Sequence, residues 1–152
     1  MKLLKRVAWV VLGGWALVLG VAYADLVVRS RQAYAEGLKY LEWRQRPQLK
    51  ASYYDAKLSA REQHLARDLQ EGRVAQDEYQ EKLKLLRFER DERVSESDLK
   101  YAYVWFQTGC ELFSPPKSPW AKFCCERVPG TLELWKQELK AQGVPYQDYM
   151  FE

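Results

Sequence analysis

Residues 1–28, MKLLKRVAWVVLGGWALVLGVAYADLVV, place three cations, Lys2, Lys5 and Arg6, ahead of an apolar run over residues 7–28 whose only charge is Asp25. About 20 apolar residues cross a hydrocarbon core as a helix, whereas a secretory signal needs a shorter core and a small-residue cleavage site. The chain satisfies both descriptions. Read as an anchor, residues 7–28 are long enough, with Trp9 and Tyr23 near the two ends, where amphipathic rings favour the headgroup level. Read as a signal peptide, the apolar core is residues 7–21, Ala22-Tyr23-Ala24 is the A-x-A site, residues 1–24 are removed and Asp25 begins the mature chain. The continuation of the apolar run through Leu26, Val27 and Val28 favours the uncleaved anchor.

Basic residues flank the run on both sides, with Arg29, Arg31, Lys39, Arg44 and Arg46 following it, so the positive-inside rule discriminates poorly here. A short charged leader before a signal-like core matches export, and the expected topology is N-in with the body periplasmic. The alternative is a cleaved protein released on that same side. Of the net charge of +3, the segment up to Asp25 accounts for two positives and the remainder for one. Lys and Arg alternate with Asp and Glu throughout that remainder, so it lacks the clustered basic face that replaces counterions on nucleic acid. Arg29 and Arg31 are instead placed to meet anionic lipid heads.

Beyond the anchor, helix formers dominate and alternating strand patterns are missing, which predicts an all-α body of one small domain. Residues 29–96 form a helical region with charged faces. Its first helix covers residues 30–46, carries Tyr34, Leu38 and Leu41 at helical spacing and ends at Pro47; it is potentially continuous with the anchor. A second over residues 49–70 repeats Tyr54, Leu58, Leu65 and Leu69 and stops at Glu71-Gly72. A third starts near Gln76 with Tyr79, Leu83 and Leu86 on one stripe and runs into the mixed charges of residues 87–93, a solvated face.

Residues 97–152 are richer in aromatic rings. Ser97 caps a helix over residues 98–113, the Ser-Pro-Pro-Lys-Ser-Pro stretch at 114–119 ends it, and Ser118 with Pro119 starts the next. Pro129-Gly130 is expected to end that helix and Thr131 to cap a last one, over residues 132–142, that stops at Gly143. The apolar tail with Tyr146, Tyr149, Met150 and Phe151 is expected to dock on the body.

Cys110, Cys124 and Cys125 flank the Pro-rich turn. In an antiparallel hairpin centred near Pro116, Cys110 and Cys124 lie at similar heights, so a disulfide between them is plausible in an oxidising compartment. A loop of about 15 residues closed in this way stabilises by ~3 kcal/mol. Three buried small hydrophobes fit the sequence equally. There is no C-x-x-C, no C-x-x-C-H, no glycine-rich phosphate loop and no close ligand set around His64. No catalytic residue, cofactor or metal site is therefore assigned, and the chain is read as a non-enzyme.

Two binding features stand out. Ala16, Gly20 and Ala24, spaced by four, align on one face of the anchor, where small residues let helix backbones approach in lipid, with another membrane protein or a second copy of the chain as the neighbour. Tyr101, Trp105, Trp120 and Trp135 are candidates for a groove that receives a peptide or helix, although most such rings belong to cores.

Residues 65–86, LARDLQEGRVAQDEYQEKLKLL, resemble the short helix-turn-helix called SHOCT, with Ala75 where a capping Thr or Ser is usual; the resemblance implies an oligomerisation or docking element. Gly37, Gly72 and Gly109 recur at spacings of 35 and 37, and with Tyr40, Tyr53 and Ala56, and with Trp105 and Ala121, residues 30–63 and 102–135 are similar to tetratricopeptide helix pairs. Both resemblances imply protein–protein contact. The sequence thus predicts a membrane-anchored helical interaction or accessory protein of the bacterial envelope, in contact with lipid and other envelope proteins. The alternatives are a secreted helical binding protein and a thiol-dependent envelope enzyme.

Overall fold

The computed structural model describes residues 2–113 and 116–151, with side chains omitted for residues 2–8, Val10 and Asp148. The protein is all-α. Five helices, α1 (Lys2–Gln45), α2 (Pro47–Gln70), α3 (Gln76–Ser95), α4 (Asp98–Glu111) and α5 (Pro119–Ala141), are followed by a short 3-10 turn, Asp148–Phe151. The leader cations Lys2, Lys5 and Arg6 and the first half of the Ser114-Pro115-Pro116 turn lie outside the side chains described. The chain divides into two compact units, residues 1–40 with 99–152, and Leu41–Asp98.

In the first unit the N-terminal apolar run and the first body helix are one. No helix breaker separates Val28 from Ser30, and α1 runs unbroken through that point. Its apolar window has a mean hydropathy of 1.9, is long enough to cross a membrane, and has none of its residues buried. From Leu26 onward α1 becomes half-buried, and Ser30, Ala33 and Gly37 face α4 and α5. Spacings of three and four put these small residues on one stripe. A Cβ added to Gly37 would lie 2.5–2.8 Å from three ring atoms of Phe106, which is fully buried; one added to Gly109 would lie 3.1 Å from the Cβ atoms of Ala33 and Cys124. α1 and α4 are therefore in backbone-close contact, with Tyr40 stacked on Tyr101 at 5.1 Å further along. The pairings Ala33–Gly109, Gly37–Phe106 and Tyr40–Tyr101 show that α4 runs antiparallel to α1.

Ser118 begins α5 as expected, its hydroxyl accepting from Ala121 N–H at 3.1 Å. It also shares a 2.7 Å hydrogen bond with the Ser30 hydroxyl, both side chains being buried. The expected break at Pro129 does not occur: α5 continues to Ala141. Pro129 lacks the N–H that would reach the Cys125 carbonyl, but the helix is held on both sides of that gap. Thr131, expected as a cap, instead donates from its hydroxyl to the Arg127 carbonyl at 2.9 Å, and Trp135 packs on Tyr103 at 5.6 Å. α5 ends at Gly143, whose φ of 69° and whose following Val144 N–H bond to Leu139 O form a left-handed helix stop. The tail docks in part: Phe151 is buried edge-on to Trp135 at 4.9 Å with Tyr146 beside it, and Tyr103 Oη donates to the Phe151 carbonyl at 2.6 Å, whereas Tyr149 and Met150 stay exposed. Burial pushes the Tyr103 phenol above its ordinary pKa, with Glu111 adding to the shift, which preserves the proton used in that bond.

The second unit is built on the α2–α3 hairpin. Pro47 occupies the first turn of α2, and Gly72, at φ 70°, closes it with bonds from Gly72 N–H to Leu69 O and from Arg73 N–H to Asp68 O. Trp43, buried, packs on Tyr53 and Tyr54 at 5.2 and 5.9 Å. No residue of α3 is buried. Exposed pairs stitch the hairpin at its surface, Arg61–Glu89, Arg87–Glu62 and Arg90–Asp55 at 2.7–3.1 Å. Such pairs contribute ~0–1 kcal/mol each. Lys50 differs: its buried ammonium donates to the Glu96 carbonyl at 2.6 Å and faces Asp98 Oδ1 at 2.8 Å.

Two stability outcomes follow. Gly37→Ala should destabilise the chain by about 1–3 kcal/mol because the enclosed Phe106 ring cannot retreat. Gly130→Ala, with nothing within 4 Å of the added Cβ, should be neutral or stabilising; equal losses in urea unfolding would contradict the close α1–α4 packing. Lys50→Met should cost about 3 kcal/mol by stranding Asp98, and Lys50→Met with Asp98→Leu should recover most of it, as read in thermal melts.

Candidate functional site

The cysteines come together, but not in the expected pairing. Cys110 is bridged to Cys125, with a Cα–Cα separation of 4.7 Å, and Cys124 is free and buried. The correction is one of helix phase. Adjacent residues on a helix point about 100° apart. Cys124 turns inward between α1 and α4, against Gly109 and Ala33, while Cys125 turns toward Cys110. The Cys124 thiol points at the Ser30 carbonyl at 3.9 Å. Burial pushes its pKa from 9.0 to about 11, so it is a thiol rather than a thiolate at neutral pH. A nucleophile needs the reverse: exposure and a depressed pKa.

Ala16, Gly20 and Ala24 lie exposed along α1, and nothing approaches within 4 Å of a Cβ added at Gly20. The face is open to a neighbour. The four candidate groove rings are dispersed over the bundle and used in its packing. Tyr101 stacks on Tyr40; Trp120 meets Tyr34 and Phe123 at 5.7 and 5.8 Å; Trp135 lies between Tyr103 and Phe151; Trp105 is half-buried on α4. Arg31 sits over Trp120, 5.7 Å from its ring centroid.

The surface that the sequence pattern underestimates is on the α2–α3 hairpin. Leu85 and Phe88 are more than half exposed on α3. An open groove of about 570 Å³ includes Phe88, with Tyr54 and Leu58 from α2 and Leu86 from α3, and the rest of its lining is charged, including Arg61, Glu89 and Arg90. Phe88 is the one large ring within the charged run of residues 87–93, and that interruption was the available signal. His64 is exposed and 3.1 Å from Asp68. Among the described residues no group of three or more His, Cys, Asp or Glu side chains is placed to hold a metal ion.

No protein-family model, curated protein or solved structure matches the chain. Function is therefore argued from these surfaces alone.

The thiol assignment has a direct outcome. With an alkylating reagent and no reductant, the folded protein at pH 7.5 should take up no label, the denatured protein one, and the denatured and reduced protein three. Because the folded Cys124 pKa lies above the unfolded value, the unfolded state loses its proton first. Stability should be undiminished by this group below pH 9 and should fall between about pH 9 and 11, and Cys124→Ala should remove that part of the alkaline decline in urea midpoints.

Proposed function

We propose that the protein is a single-pass, N-terminally anchored helical interaction or accessory protein of the bacterial envelope, with its body outside the cytoplasm. The observation that carries this reading is the wholly exposed apolar half of α1, which continues without a break into the helix that fills the body's own core. An apolar helix of this length left bare in water would be a severe aggregation liability, and a bilayer removes that exposure. The Cys110–Cys125 bridge supports an oxidising compartment for the body.

Two exposed features suit protein partners. The Ala16–Gly20–Ala24 stripe offers a close-packing face to another membrane helix, including that of a second copy. The hairpin groove, lined by charged side chains of both signs around Tyr54, Leu58, Leu86 and the exposed Phe88, offers a mixed polar and aromatic surface to a protein partner. The inert Cys124 weighs against the thiol-enzyme alternative. The secreted alternative keeps the body whole, since Ser30, Ala33 and Gly37 all follow Asp25, and it is separated from the anchor only by processing.

Expressed in a bacterial host, the protein should resist alkaline carbonate extraction, retain residues 2–24 by intact mass, and support a periplasm-dependent reporter fused after Glu152. A chain beginning at Asp25 makes the secreted binding protein the better reading. A fusion active only in the cytoplasm overturns the orientation. In-membrane crosslinking should capture a partner helix, and Gly20→Ile should reduce that capture severalfold by blocking backbone approach; a chain that remains monomeric with no crosslinks contradicts the interaction role.

A further inference from the structure

The register between α1 and the other bundle helices fixes how far the body stands from the bilayer. At 1.5 Å per residue, a hydrocarbon core of about 30 Å takes about 20 residues, from Val7 to about Leu26. The headgroup layer adds roughly 5–7 Å on that side, which is about three to five further residues and reaches about Arg29 to Arg31. Ser30 thus falls within the headgroup layer, and its 2.7 Å hydrogen bond to Ser118 brings the start of α5 to the same depth. α4 arrives from the opposite direction: Gly109 meets Ala33, and Leu112, three residues on, is about 4.5 Å nearer the bilayer.

What the chain places at this depth is unusual for a surface facing water. Leu112 is 71% exposed at the end of α4. Trp120 is half-buried, with Arg31 over its ring, and Lys117 is exposed at the turn. Arg29, at this depth, reaches down one turn to pair with Asp25 at 2.7 Å at the edge of the hydrocarbon core, and Glu111 is a carboxylate at the level of Leu112 itself. Amphipathic Trp and long cations with apolar stems are the side chains that settle at a lipid–water boundary, and an exposed Leu beside them gains by entering it.

We propose that this edge of the bundle, Leu112 and Trp120 with Lys117 and Arg31, is a lipid-contact surface lying in the headgroup layer of the same bilayer that holds α1. The proposal rests on the anchor reading. The body then rests on the membrane at two places, the α1 exit and the α4–α5 turn. The two contacts together fix the bundle's rotation about α1, which a lone helix does not.

The test uses the full chain in liposomes of phosphatidylcholine and phosphatidylglycerol. A photoreactive p-benzoylphenylalanine replaces Leu112, Val18 or Leu134 in separate preparations, and adducts are read by mass spectrometry. Val18 lies within the anchor; Leu134 is half exposed on α5, sixteen residues and about 24 Å beyond Ser118. Lipid adducts at Val18 and Leu112, with yield at Leu112 about tenfold above that at Leu134, support the proposal. Lipid adducts at Val18 with none at Leu112 overturn it and leave the anchor standing. A crosslink from Leu112 to a second copy also overturns it, assigning the edge to self-association. Absence of lipid adducts at Val18 overturns the anchor reading and the proposal together. Protection of the buried Cys124 thiol from alkylation in each variant confirms that the bundle has folded, which the exposure of all three positions favours.

Discussion

One helix joins an exposed apolar run to the core of the bundle, and that continuity constrains the first unit more than any other feature. Residues 11–24 of α1 are apolar and exposed on every side, whereas between Ser30 and Gly37 the helix is closely covered by α4 and α5 on one stripe. Because no break separates the two, the stripe's phase is set by the same helix that carries the apolar run. Ser30, Ala33 and Gly37 are small because α4 and α5 must come close at that phase. A bulkier residue at any of them would push the bundle away from α1 and open the Phe106 and Cys124 contacts at once. The buried Ser30–Ser118 pair adds a directional bond to this seam, satisfying two hydroxyls that would otherwise be costly to bury.

Around the seam, stability comes from large rings rather than from many aliphatic contacts. Tyr34 touches Phe106, Trp120 and Phe123, and Trp135 joins Tyr103 to Phe151. Short helices need such side chains, since a single buried ring removes 150–250 Å² from water, roughly the contribution of two smaller apolar residues. This is why the aromatic enrichment of residues 97–152, most of it expected to be core, serves internal packing at Tyr103, Trp120 and Trp135. The tail follows the same logic, with Phe151 completing a ring cluster and its carbonyl meeting the Tyr103 hydroxyl.

Helix content, the punctuation at Pro47, Gly72, Ser118 and Gly143, and the docking of the tail were legible because each depends on a local property of the chain: a missing N–H, a permitted positive φ, a capping hydroxyl, an apolar cluster. Pro129 was not, because local propensity favours a break there while the Thr131 hydroxyl bonds back across it to Arg127 and Trp135 packs on Tyr103 beyond it. Leu85 and Phe88 were hidden for a different reason. A helix stripe predicts which residues can be buried, and Tyr79, Leu83 and Leu86 satisfied it. It does not reveal that α3 leaves all its residues at least partly accessible, a consequence of its pairing with α2 chiefly through surface ions.

The cysteines show how a bundle decides between options that sequence spacing leaves open. Cys110 has two candidate partners one residue apart, and loop entropy cannot separate loops of nearly equal length. Helix phase can. With Gly109 lacking a side chain, α4 leaves a recess that only an inward-facing small group fills, and Cys124 occupies it against Ala33. A Cys110–Cys124 bond would require withdrawing that sulfur from the core and leaving a void beside a backbone that cannot close over it. The glycine that permits close helix approach therefore also selects the disulfide, by giving one of two neighbouring thiols a place inside and leaving the other to be oxidised. The bridge then joins α4 to α5 just where α1 emerges from its apolar half, tying that end of the bundle at the point where the seam of small residues begins.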